Sequence, residues 1–204
     1  MSNFTYEYEK STKTLETFEW DNTWWDHANV EGVPRVLYIG DSISCHVRIA
    51  ATKEADNKTF FDGFGTSKAL DNPFFFESVR LFASQQGQRK AILLNNGLHG
   101  WHLDDVTSYG EYYEKMITSL LNEYENTPLI LLLTTPVEDN ERDERVKKRN
   151  ETVLKLAEKY DLQVLDFYSI IKEKGNEIFS DGVHLKPQGY ELLAKEIVNT
   201  IRQL

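Results

Sequence analysis

Short apolar runs alternating with helix-length stretches predict an α/β fold built on a parallel sheet. Five such runs recur: RVLYIG (35–40), KTFFDGF (58–64), KAILLNNG (90–97), PLILLLTTP (128–136) and LQVLDFY (162–168). The stretches between them read as crossover helices, the mark of βαβ units with both sheet faces covered. No repeat, linker or low-complexity tract interrupts the series, so a five-stranded domain over residues 33–204 is expected.

Taken in order, residues 1–32 are polar and aromatic, with Phe4, Phe18, Trp20, Trp24 and Trp25, and show neither strand nor helix periodicity. So many aromatic side chains would not stay solvated in a disordered tail, which predicts an ordered extension packed on the domain. RVLYIG is a β-branched apolar run closed by glycine, as a buried parallel strand requires. SISCHVRIAATKEA (42–55) follows as a helix. KTFFDGF is a weaker strand, trailed by the turn-like GTSKALDNP. PFFFESVRLFASQQ (73–86) reads as a helix opened by proline. After the third strand comes the amphipathic helix GEYYEKMITSLLNEYE (110–125). PLILLLTTP, bounded by prolines, is the clearest strand. The charged helix 140–160, the last strand, a short helix and a closing helix over 186–204 complete the chain.

With 204 residues the chain buries roughly 70% of its unfolded surface, enough for a self-sufficient core. Its net charge of −10 argues against nucleic acid and against anionic membranes as partners. One cysteine, Cys45, allows no internal disulfide, and the N-terminus carries no apolar signal segment. The longest apolar run, residues 128–133, is too short to span a bilayer, so a cytoplasmic location is expected. No cluster has metal-ligand spacing, and neither metal nor cofactor is expected.

In open α/β sheets chemistry gathers at the carboxyl ends of the strands. Ser42 ends the first predicted strand, His99 follows the third, and Thr134 and Thr135 end the fourth. The loop Asp181–Gly182–Val183–His184 follows the fifth strand and can reach the same edge. Ser, His and Asp are the parts needed to activate a hydroxyl for attack on an acyl carbon. Taken singly, Ser42 could be a helix cap and Asp181–Gly182 an ordinary turn. Together they place nucleophile, base and orienting carboxylate where the fold puts its site. His27, His46 and His102 lack partner motifs and read as structural, although His46, one turn after Ser42, could line the floor of the site. Trp101 is the aromatic best placed to form a pocket wall, with Asn96 beside it. Trp20, Trp24 and Trp25 serve either to pack the extension or to stack on a sugar. The run 138–145 reads as a solvated face, from which Arg142 or Arg145 could lean over the site.

GDSIS, a glycine in the second block, GLHG (97–100) and the terminal D-x-x-H resemble the SGNH, or GDSL-type, hydrolases from about Val33 onward. That resemblance implies a flavodoxin-like three-layer α/β/α sandwich and metal-independent ester hydrolysis. It makes Ser42, Asp181 and His184 the catalytic set. The second-block glycine is best matched by Gly65, with Gly63 as the other choice, and its N–H would join that of Ser42 in an oxyanion hole. The family's asparagine donor falls here on His99, whose ring N–H can make the same bond, with Asn95 and Asn96 as alternatives. The substrate implied is a small acyl ester, an acetyl group on a carbohydrate first, with thioesters and lysophospholipids open. A non-catalytic carbohydrate-binding module on the same fold is the competing expectation.

Overall fold

The computed structural model describes Leu15, residues 18–85, 87–103 and 106–204; Phe4 and most of residues 1–17 lie outside the described residues. The chain forms β1 (Asp21–Trp24), β2 (Arg35–Gly40), α1 (Ser42–Glu54), β3 (Phe60–Thr66), α2 (Phe75–Ser84) and β4 (Ala91–Leu94). It continues through α3 (Val106–Glu123), β5 (Leu129–Leu132), α4 (Asn140–Tyr160), β6 (Gln163–Leu165), α5 (Phe167–Lys172) and α6 (Pro187–Ile201). The sheet order is β1-β3-β2-β4-β5-β6. From β3 to β6 every pairing is parallel, and counted from β2 this is the 2-1-3-4-5 order of flavodoxin-like folds.

Strand alternation divides the core. Leu37, Ile39, Ile92, Leu94, Leu129 and Leu131 pack against Phe75, Val79, Tyr113, Met116, Ile117 and Val153 of α2, α3 and α4. Their neighbours Val36, Tyr38, Leu93, Ile130 and Leu132 pack on Val47, Ala51, Ile171, Leu193 and Ile197 of α1, α5 and α6. Two covered faces of one sheet make the three-layer sandwich. Among the described residues no helix is long and apolar enough to cross a membrane.

The sheet has six strands where the sequence patterning predicts five. The additional strand, β1, pairs antiparallel with β3 from within the aromatic extension. All four of its side chains are exposed, so the apolar alternation by which strands are read is absent. What holds β1 is backbone pairing and polar fastening. Ser67 N donates to Trp20 O at 3.1 Å, Trp20 N to Ser67 Oγ at 2.9 Å, and Lys68 Nζ reaches Asp21 at 2.6 Å. Two further boundaries move. Helix α2 starts two residues past Pro73, and α3 starts at Val106 rather than 110, carrying Gly110 inside it. A Cβ on Gly110 would stand 3.0 Å from Thr152 Cγ2, so its absence lets α3 and α4 approach.

The strand order reverses at β2, whose parallel neighbours β3 and β4 lie on its opposite sides. The crevice at the carboxyl ends of β2 and β4 is therefore where such a sheet opens to ligands.

Candidate active site

Ser42 is the first residue of α1, and Asp41 performs the capping that serine could have performed. Asp41 Oδ1 accepts from Ile43 N at 2.9 Å, and its carbonyl accepts from Ser44 Oγ at 2.6 Å. The Ser42 hydroxyl is thereby left to face outward, 2.9 Å from His184 Nε2. The Ser42 N–H, one of the orphan donors of the first helical turn, bonds to no described residue. Beside the cap, Gly97 takes φ +69°, and a Cβ there would fall 1.7 Å from Asp41 Oδ2. Only glycine lets the loop after β4 close on the Asp41 carboxylate.

The loop after α5 is fixed from both ends. Phe179 and Leu185 form an antiparallel bridge, Ser180 N donates to His184 O at 2.8 Å, and Glu138 N donates to Gly182 O at 2.8 Å. Within it Asp181 Oδ1 accepts the backbone N–H groups of His184 at 2.8 Å and Val183 at 3.1 Å. Asp181 Oδ2 lies 2.8 Å from His184 Nδ1. Partial burial alone would raise the Asp181 pKa. The His184 N–H, the His184 ring and the Val183 N–H outweigh it and hold the carboxyl below its ordinary range. A carboxylate, an imidazole and a hydroxyl thus stand in series, with 38% of the His184 side chain open to solvent.

His99 sits in the loop after β4, its main chain clamped by Arg149, whose Nη1 donates to His99 O at 2.8 Å and Nη2 to Gly100 O at 2.7 Å. The ring is buried and meets Trp20 edge to face, centroids 6.2 Å apart. It bonds to no described residue. Burial lowers its pKa, the Arg149 and His184 charges act in the same direction, and Asp41 opposes them, so the neutral imidazole is favoured. The loop that carries it closes on Asp41, the residue before Ser42, through Gly97. The two alternative asparagines are engaged elsewhere. Asn95 Nδ2 donates to Leu132 O at 2.7 Å and Thr134 Oγ1 at 3.1 Å.

Three expectations are corrected. Gly65 does not turn its N–H toward Ser42. Along β3, Phe60 N donates to Pro34 O on the β2 side, whereas Phe61 N and Ser67 N donate to Asp26 and Trp20 on the β1 side. Gly65 shares the parity of Phe61 and Ser67, so its N–H points to Asn22, its partner in β1. Gly63 has the same parity and the same direction. Asn96 does not offer its side chain to a substrate pocket: it is 2% exposed and donates to Lys68 O at 3.3 Å. Trp101 is not a pocket wall either. It is 3% exposed, packs with Leu98, Val137 and Val146, and lies under the Arg145 guanidinium, 4.0 Å from the ring centre.

The other aromatic and histidine expectations divide. Trp25 stacks on Phe82 in the core at 3.9 Å, and Trp24 is exposed with Arg48 over its ring. His46 is exposed and stacks on Tyr190, ring centroids 4.8 Å apart. Cys45 presses its Sγ on Gly65, and burial raises its pKa. Sequence reading overlooked Asp41, although Asp before a helix start is itself a cap signature. It also overlooked Arg149, one of three arginines at helical spacing with Arg142 and Arg145. Among the described residues no group of three His, Cys, Asp or Glu side chains could hold a metal ion.

No protein-family model matches the sequence, and no curated protein matches it. Solved structures do. A member of the lipolytic G-D-S-L family from Veillonella parvula is 18% identical, with a TM-score of 0.66 over 84% of this chain and all of its own. A lipase/acylhydrolase from Enterococcus faecalis is 18% identical, with a TM-score of 0.65 over 84% of this chain and 96% of its own. An acetyl xylan esterase is 16% identical, with a TM-score of 0.65 over 81% of this chain and 98% of its own. The chain shares its three-layer fold with these GDSL-type hydrolases and esterases.

Proposed function

We propose that this chain is a serine esterase of the SGNH type that hydrolyses small acyl esters through an acyl-enzyme. One observation carries the reading: Ser42 Oγ, the two nitrogens of His184 and Asp181 Oδ2 stand in one hydrogen-bonded series, with links of 2.9 and 2.8 Å. In this mechanism His184 Nε2 takes the Ser42 proton as Oγ attacks the acyl carbon. Asp181 holds the Nδ1 proton in place and stabilises the imidazolium. The oxyanion is met by the unengaged Ser42 N–H at the start of α1 and by the N–H of the neutral His99 ring. His184 then protonates the leaving alkoxide, and a water activated by the same imidazole releases the acid. The second backbone donor read from the sequence, Gly65, is absent from this scheme.

The proposed substrate is an acetyl ester, with a carbohydrate as the alcohol. Support comes from the fold shared with an acetyl xylan esterase and from the acidic chain, which favours neutral substrates over polyanions. A cytoplasmic setting belongs to the same proposal. A pure binding module has no use for an imidazole held between a carboxylate and a half-buried serine hydroxyl, which weighs against the non-catalytic reading.

Hydrolysis of p-nitrophenyl acetate, butyrate and octanoate by the purified protein, with and without a fluorophosphonate, tests the proposal. Turnover that is fastest on acetate and blocked by a label on Ser42 is expected. Labelling at another serine, or hydrolysis that survives complete labelling, would sink it.

A further inference from the structure

Among the described residues ahead of β2, Trp20 meets the proposed site, its ring lying against His99. Its backbone is pinned at the carboxyl end of β3 by Ser67 N and Thr66 Oγ1, both donating to Trp20 O at 3.1 Å, and by Trp20 N donating to Ser67 Oγ. The ring is half-buried, with interplanar angle 84° to His99. Without a hydrogen-bonding partner among the described residues, the His99 ring has Trp20 as the aromatic surface that fixes its plane. Trp20 therefore borders the place where the proposed oxyanion forms, and it does so from the β1/β3 edge of the sheet.

His184 arrives from the opposite side. Its loop is anchored at Glu138, just beyond β5, through the Gly182 carbonyl. In acyl transfer the general acid protonates the leaving alkoxide, so the alcohol portion lies on the His184 side of the tetrahedral carbon. The acyl substituent then faces away from His184, toward the β3 end of the crevice and the indole. An aromatic wall on a three-bond backbone clamp is a fixed stop, unlike a loop that yields to a longer chain.

We infer that Trp20 is the residue that limits acyl length, closing the acyl side of the site to groups much larger than acetyl while holding the His99 ring in its donating orientation. This rests on the serine-esterase reading above and deepens it. Residues 1–32 are on this view a functional part of the enzyme.

The test compares wild type, Trp20→Ala, Trp20→Phe and Trp24→Ala on p-nitrophenyl acetate and butyrate, each normalised by fluorophosphonate titration of Ser42. The ratio of kcat/KM on butyrate to that on acetate is the readout, because it does not change with the fraction of folded enzyme. Trp20→Ala is expected to raise the ratio about tenfold or more, on the scale by which pockets discriminate small apolar groups. Trp20→Phe should fall between it and wild type. Trp24→Ala removes an exposed aromatic of the same extension and should leave the ratio as it was. A ratio unchanged in both Trp20 variants, with wild type active, would overturn the inference alone. Absence of hydrolysis and of Ser42 labelling in wild type would instead overturn the esterase reading beneath it.

Discussion

Of the three short histidine–aspartate pairs among the described residues, two in different parts of this molecule teach different things. His184 and Asp181 are 2.8 Å apart, while His102 and Asp71 are 2.9 Å apart. The first pair is open, with side-chain exposures of 38% and 57%; the second is shielded, at 10% and 9%. His184 spends Nδ1 on its carboxylate and turns Nε2 to Ser42. His102 spends Nε2 on both oxygens of Asp71, and its ring bonds to no hydroxyl among the described residues. It fastens the loop after β4 to the loop after β3. A short His–Asp distance therefore identifies nothing by itself; the partner of the other nitrogen and access from solvent decide between chemistry and fastening.

Breaking the first pair's series should have the largest effect. Ser42→Ala and His184→Ala are each expected to lower kcat by roughly 10⁴–10⁶, as removal of either member of such a unit does. Because Asp41 caps α1, circular dichroism and Tm of Ser42→Ala should stay close to wild type. Asp181→Asn keeps the loop shape but loses the carboxylate, and a fall of roughly 10²–10⁴ is expected. Loss of helical signal in Ser42→Ala would return Ser42 to a structural role.

The next effect concerns the donor that has no counterpart in the second pair. If the His99 ring meets the oxyanion, His99→Ala should lower kcat by roughly 10²–10³ with KM little changed. His99→Asn restores an amide donor and should recover part of that loss. Equal losses in kcat for both variants would point to a packing role for the ring against Trp20.

Much of this was legible in the sequence, and what was not has identifiable causes. Strands β2, β4 and β5 are covered on both faces, so their side chains had to be continuously apolar, and that pattern shows. Strand β1 is covered on neither face and left no pattern. Asp181 and His184 are four-residue neighbours whose relation is local, whereas their meeting with Ser42 depends on the whole sheet order. The direction of the Gly65 N–H depended on β1, and an unseen strand cannot warn that it will claim a donor. Trp101 looked like a wall by position, but three arginines one helical face away on α4 had already enclosed it.

Breaking the second pair should disturb stability and spare chemistry. His102→Ala leaves Asp71 without one partner in a shielded place, at a cost of about 1–3 kcal/mol. The expected outcome is a lower Tm by calorimetry, with kcat per labelled Ser42 within about threefold of wild type. A kcat loss comparable to that of His99→Ala would mean that the loop after β4 tolerates no loosening, and the two pairs would then be functionally one.

The smallest effect separates two ranges of acid. The His99 pKa lies below the ordinary histidine value of about 6.5. Between those two values the unfolded chain binds more protons than the folded one, so stability rises with pH across that window. Acidification below about 6.5 should therefore begin to lower Tm. His46, whose pKa is also lowered, by partial desolvation first and then by the charges of His184 and Arg48, acts in the same direction. Asp181 is depressed as well, but as an acid: its contribution is complete above about 3.9 and is lost only as pH falls toward its lower folded value. Two declines are thus expected, a shallow one in mild acid and a further one below about pH 4. His99→Gln should flatten part of the first and leave the second, measured as Tm across a pH series. If the variant and wild type fall in parallel through mild acid, the His99 ring is not buried as neutral imidazole, and its role as a donor to the oxyanion falls with it.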